Sequence, residues 1–131
     1  MDPTKQLIKL DVKNAYQSFN YDLLDTLDFP QSVAQFIETR QLVFKYDIYK
    51  LHSGLIIGSS IDQAVFWRVM DVVCDKLRQK FPNFSYIDHY VDDFFVVTPR
   101  NVDSKIVEEA LQEILTEFHF TLNTDKTKVL L

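Results

Sequence analysis

Tyr86 to Thr98 reads YIDHYVDDFFVVT. Two adjacent carboxylates, Asp92 and Asp93, stand between apolar runs: Tyr86, Ile87 and Tyr90 before them, Phe94, Phe95, Val96 and Val97 after. Aromatic and β-branched residues favour strands, and Asp tolerates turn geometry. The stretch therefore predicts a buried hairpin with two acids at its tip. Neighbouring carboxylates resist ionising side by side, and a bound divalent cation removes that cost. Oxygen ligands on a rigid hairpin suit Mg²⁺, which takes one or two protein carboxylates plus substrate phosphates. A bare Asp-Asp pair is most often a surface turn, so the reading depends on what surrounds it.

Outward from the hairpin, composition sets bounds. The chain has 131 residues, the size of one domain, with 47% hydrophobic residues, enough for a core. The net charge of −5 has the wrong sign for a stand-alone nucleic-acid binder. A basic surface, if one is needed, is expected on parts outside the chain. Cys74 is the one cysteine, which gives no sign of an oxidising compartment. No apolar run reaches the ~18 residues of a membrane span, and MDPTKQ does not read as a signal peptide. The expectation is an intracellular protein without a membrane partner.

Gln6–Val12 alternates as a strand, with Ile8 and Leu10 on one face and Leu7 and Lys9 on the other. Asn20 is read as the cap of a helix carrying Leu23, Leu24 and Leu27. Ser32 and Gln35 read as a capping box for the next helix. Phe44, Tyr46 and Ile48 recur at period two, predicting one strand over Val43–Leu51. Ser60 and Gln63 read as a second capping box, opening a long helix that buries Ile61, Val65, Val69, Val72 or Val73, and Leu77. Capping alone accounts for Ser59, Ser60 and Asp62. Arg68, Lys76, Arg78 and Lys80 read as a solvated helix face. After the hairpin, Asp103 caps a helix to about Phe118, with Ile106, Val107, Ala110, Leu111 and Ile114 inward. Phe118–Leu122 reads as a strand, Asn123–Lys128 as a polar turn and Val129–Leu131 as the start of another strand. This order fits an α+β fold, one antiparallel sheet with helices on one face.

A third carboxylate, Asp11, ends the first strand. If that strand lies beside the hairpin, Asp11 faces Asp92, with no basic residue expected nearby. Two metals ~3.5–4 Å apart could then clamp the attacking and leaving oxygens of a phosphoryl displacement. Asp88 reads as an exposed acid sharing a strand face with Asp92, and His89 as a satisfied strand histidine.

LDVKNAY, GLIIGSS, YVDDF and TLNTDKTK occur in this order. They resemble motifs A, B, C and D of the reverse transcriptase palm. Asp11 and Tyr16 match motif A, and the loop Gly54-Leu55-Ile56-Ile57-Gly58-Ser59 matches motif B. Tyr90, Val91, Asp92 and Asp93 match motif C, and Lys126 and Thr127 match motif D. Within that family, VDDFFVVTP and IKLDVKNAY look most like telomerase reverse transcriptase. The chain departs from telomerases at Tyr90, where an aliphatic residue is usual, and in lacking a long insertion between Asp11 and Gly54. It departs from motif B at Ile57, where Gln is usual.

The resemblance implies a single palm domain over residues 1–131, with a central acidic hairpin and with fingers and thumb largely absent. It implies an RNA-directed DNA polymerase, a nucleotidyltransferase adding dNTPs to a DNA primer on an RNA template. Two Mg²⁺ ions would be held by Asp11 and Asp92, with Asp93 assisting. Tyr16 would be the steric gate under the sugar, Gly58 and Tyr90 would lie on the substrate side, and Lys126 would protonate the leaving pyrophosphate. The remaining polymerase domains would act in cis or in trans, and the chain alone would be inactive. A telomerase-like protein would work in the nucleus, any other in the cytoplasm. The alternative is a degenerate, non-catalytic palm or an RNA-binding or structural module. Such a module needs exposed aromatics on its sheet and a basic face, where this sequence places acids.

Overall fold

In the computed structural model, which describes residues 2–131, every second residue of the first strand is withdrawn from water. Met1, the first residue of the expected domain, lies outside the described residues. In β1 (Lys5–Val12), Gln6, Ile8, Leu10 and Val12 are buried, while Leu7, Lys9 and Asp11 on the other face are half-buried. The same alternation runs through β4 (Tyr86–Tyr90) and β5 (Asp93–Pro99), which bury Ile87, His89, Phe94, Val96 and Thr98. β6 (Leu122–Leu130) completes an antiparallel sheet in the order β4-β5-β1-β6. Strand parity thus makes one face apolar and covered, the other open and carrying Asp11 and Asp93.

The covered face packs against α3 (Ser60–Lys80) and α4 (Ser104–Glu117). Val65, Phe66, Val69, Met70, Val73, Cys74 and Leu77 of α3 are buried, as are Val107, Ala110, Leu111, Ile114 and Leu115 of α4. Lys76–Glu117 and Lys80–Glu113 ion pairs link the two helices at the surface. Ile61 and Ile106, expected inward, are 39% and 53% exposed; each lies in its helix's first turn, where the apolar stripe has not yet met the sheet. Asp103 caps α4 as expected, accepting from the Lys105 amide at 3.0 Å.

Other boundaries differ from the sequence reading. The long helix is capped by Ser59, not Ser60, through the Asp62 amide at 3.5 Å. α2 (Gln31–Thr39) has no side-chain cap, so the Ser32–Gln35 box does not form; Pro30 precedes it with its own fixed φ. Asn20 accepts from the Asp22 amide two residues on, one step ahead of α1 (Asp22–Thr26). The single strand expected over Val43–Leu51 is a hairpin of β2 (Gln41–Phe44) and β3 (Asp47–Lys50). Lys45 and Tyr46 turn it with φ of 50° and 72°, both central residues being left-handed as a type I′ turn requires. Lys-Tyr lacks the Asn-Gly signature that would have announced it. The strand expected from Phe118 is the end of α4, where His119 adopts φ 67°. Gln112 Oε1 then accepts from the Leu122 amide at 2.7 Å, and the polar stretch 123–128 runs on within β6 as an edge strand.

Candidate active site

The hairpin tip is a two-residue turn, Val91-Asp92, closed by the Tyr90–Asp93 pair. β1 lies directly beside β5, and the register sets Asp11 opposite Asp93, not Asp92. Asp92 is tied to β1 through its backbone: its carbonyl accepts from the Val12 amide at 3.1 Å. On the other side of β1, Asn123 is the register partner of Asp11. One cleft of about 820 Å³ is lined by Asp11, Tyr16, Gly58, Asp92, Asp93 and Lys126, together with Lys9 and Ile57. Residues from all four sequence motifs therefore meet at one place. Tyr90 is the exception. Its ring packs edge-on against Trp67 at 5.9 Å, outside the cleft lining.

A basic residue stands among the acids after all. Lys9 Nζ lies 3.5 Å from Asp11 Oδ1 and 3.8 Å from Asp93 Oδ2. Strand parity was the available signal, since Lys9 is two residues before Asp11 and shares its face. The compensation is incomplete. Burial first, then the adjacent Asp11 carboxylate, pushes the Asp93 carboxyl up to about 6, with Lys9 opposing and Asp92 adding to the rise. Asp11 Oδ1 is itself buried without a hydrogen-bond partner. An orphaned buried carboxylate oxygen beside a second carboxylate is the donor set a hard divalent cation takes, so the residues present fit the metal this family uses. The oxygens of Asp11, Asp92 and Asp93 do not form a tight three-ligand group. The turn carries Asp92 beyond the paired ladder, and the same turn separates it from Asp88, which pairs with Phe95 further down.

Among the described residues, the tight group of metal-type side chains is Cys74, Asp88 and His89, within 4.8 Å of one another. It is not built for a cation. Burial pushes the Cys74 thiol up to about 12, and both His89 ring nitrogens are already engaged. The Arg78 guanidinium lies 3.8 Å from the Asp88 carboxylate.

The Gly54–Ser59 loop forms the cleft's other wall. The Gly54 amide donates to the Phe19 carbonyl at 2.7 Å and the Leu55 amide to the Tyr16 carbonyl at 2.8 Å. Gly54 has φ 85°, and a Cβ there would stand 3.3 Å from the Gln17 carbonyl oxygen, so both conformation and space require glycine. Gly58 has φ 93° with open space around it. Ile57 lines the cleft and is 81% exposed. The loop hangs on Asp62, which does far more than cap. It is fully buried, receives both terminal nitrogens of Arg40 at 2.6 Å, and accepts from the Ile56 amide at 2.7 Å. Nothing in the sequence pattern pointed to Arg40. Tyr16 packs its ring on Phe66 at 4.7 Å; burial raises its phenol, and Asp62 and Asp92 add to the rise. Lys126 reaches the cleft from β6.

A helix-backed antiparallel sheet presenting acids of adjacent strands to one cleft defines a polymerase palm. The family model described as reverse transcriptase (RNA-dependent DNA polymerase) matches residues 2–131, and the chain belongs to that family. Telomerase from Candida tropicalis, solved in complex with a TWJ fragment of telomeric RNA, is similar in fold. Its TM-score is 0.67 at 17% identity over 96% of this chain and 26% of that one. The apo form of the same enzyme gives a TM-score of 0.68 at 16% identity over 99% of this chain and 29% of that one. The chain thus spans less than a third of the length of these structures. No curated protein sequence matches it. No helix among the described residues is long and apolar enough to cross a membrane.

Proposed function

We propose that this chain is the catalytic palm of an RNA-templated DNA polymerase, adding dNTPs to a primer 3′-hydroxyl. The observation that carries this reading is the direct pairing of Asp11 with Asp93, with Asp92 on the adjoining turn, in a cleft that also holds Tyr16, Gly58 and Lys126. Asp11, Asp92 and Asp93 would hold two Mg²⁺ ions. When bound, these supply Lewis-acid stabilisation of the charge that builds on the transferring phosphoryl group. The chain's own residues position. Asp11 and Asp93 fix the metal end of the cleft through the ladder, and the Asp62-anchored loop shapes the wall beside it. Tyr16, held by Phe66, offers a flat ring where the incoming sugar would lie. Lys126 stands ready to donate a proton to the departing pyrophosphate.

RNA template, DNA primer and dNTP are the partners this chemistry requires. Fingers and thumb, in cis or in trans, would bring the phosphate-neutralising charge that a chain of net charge −5 lacks. The telomerase-like fold favours a nuclear, telomere-type polymerase within the family. The test is primer extension by a complete enzyme carrying this palm. Asp92→Asn should cost roughly 10³-fold in rate, the loss of several kcal/mol of charge stabilisation. Undiminished extension would show that the acidic turn is not the reaction centre and favour a degenerate palm. The isolated chain should extend primers at trace level at most.

A further inference from the structure

Behind the acidic turn, on the covered side of the sheet, the His89 ring is fully buried. It packs on Trp67 at 4.7 Å and lies 6.0 Å from Phe94. Its Nδ1 stands 3.2 Å from the Val91 carbonyl oxygen and its Nε2 2.8 Å from Asp71 Oδ1. The ring thus sits between two acceptors, the Asp71 carboxylate and the Val91 carbonyl. Asp71 is half-exposed on α3, the helix that opens at the Gly54–Ser59 loop.

Val91 is the residue in need of holding. Its φ is 55°, a left-handed conformation that a β-branched side chain disfavours. Such a conformation persists only where its surroundings over-determine it. Here each carbonyl of the two-residue turn is gripped. The Val12 amide of β1 holds the Asp92 carbonyl, and His89 holds that of Val91. The Val91 carbonyl belongs to the peptide that leads into Asp92, so holding it fixes the backbone from which the Asp92 side chain leaves.

We propose that His89 is a positioning residue, through which an Asp71–His89–Val91 relay fixes the turn peptide and so aims Asp92 at the metal site. The proposal rests on the polymerase reading above for the metal, but the relay itself is a property of this chain. Groups that orient metal ligands from behind change metal affinity by about 10–100-fold when removed.

The test titrates the chain with Mn²⁺ by calorimetry, alongside amide NMR shifts of Val91 and Asp92. Asp71→Asn and His89→Gln should each raise the Mn²⁺ Kd about 10-fold, with the melting transition retained and the Asp92 amide shifted. Asp75→Asn, which removes one carboxylate from the same helix, should leave both readouts at the parental value. Parental Mn²⁺ affinity in Asp71→Asn and His89→Gln would overturn the relay. Should His89→Gln fail to fold, Asp71→Asn decides alone, since that side chain is half-exposed and its removal opens no core. If the parent itself binds no Mn²⁺ at the acids, the polymerase reading falls. The relay is then judged by the metal-free Asp92 amide, whose indifference to Asp71→Asn overturns it.

Discussion

Asp62 and Asp93 are both drawn out of water, and the fold treats them in opposite ways. Burial pushes Asp62 up, but Arg40, the Ile56 amide and Ser59 together outweigh it and hold its carboxyl below the usual carboxylate range. Burial pushes Asp93 up as well. There the nearest groups are two more carboxylates and a loosely placed Lys9, and the carboxyl rises to about 6. One site is finished by the protein's own cation. The other has only Lys9, 3.5 Å from an Asp11 oxygen that takes no hydrogen bond, and leaves a donor set that a cation from outside would fit. The first is a structural joint under the Gly54–Ser59 loop, and the second is the place where the proposed chemistry would occur.

The largest expected effect breaks the finished site. Arg40→Ala leaves a fully buried carboxylate unpaired and should cost about 3–5 kcal/mol of stability in denaturant unfolding. Asp93→Asn, in contrast, removes a repulsive charge and should leave the metal-free chain at least as stable as the parent. Equal losses in the two variants would erase the contrast.

Tyr16 lines the cleft and feels the charge of both Asp62 and Asp92. Discrimination by shape of this kind is worth about 1–3 kcal/mol, or 10–200-fold. In a complete enzyme, Tyr16→Ala should lower the preference for dNTP over rNTP in single-nucleotide incorporation by an amount in that range, while Tyr16→Phe keeps it. Unaltered selectivity in a folded Tyr16→Ala enzyme would return Tyr16 to the core.

The smallest effect is in pH. Folded Asp93 binds its proton more tightly than the unfolded chain does. Its contribution is most favourable below the ordinary value of 3.8 and is lost as pH rises through about 6. Asp62 runs the other way, stabilising above its ordinary value and failing only as pH falls through its lowered one. Mn²⁺ should therefore raise the melting temperature more at about pH 7.5, where Asp93 is ionised, than at about pH 5. In Asp93→Asn that difference should shrink. An Mn²⁺ effect independent of pH in the parent would mean that the cation binds elsewhere.

Much of this was readable before the fold was seen. The alternation in Gln6–Val12 set Ile8 and Leu10 on one face, the face the fold buries, and the hairpin and its acidic tip stand where the aromatic and β-branched runs required. Two strand expectations fared differently. At Phe44-Tyr46-Ile48 the residues stay exposed on a hairpin whose turn lacks the usual glycine. At Phe118 and Phe120 the buried rings belong to a helix end, where a left-handed His119 reverses the chain.

The sequence by itself determined the family, the strand parity and the identity of the acids, because these depend on residue type and local spacing. Only the tertiary structure decided that Asp11 meets Asp93 and not Asp92, that Lys9 stands between them, and that Arg40 closes on Asp62. Those pairings join residues from separate elements. Ladder register and helix packing fix them, through the burial of side chains far along the chain, and no local periodicity records which distant partner that burial selects.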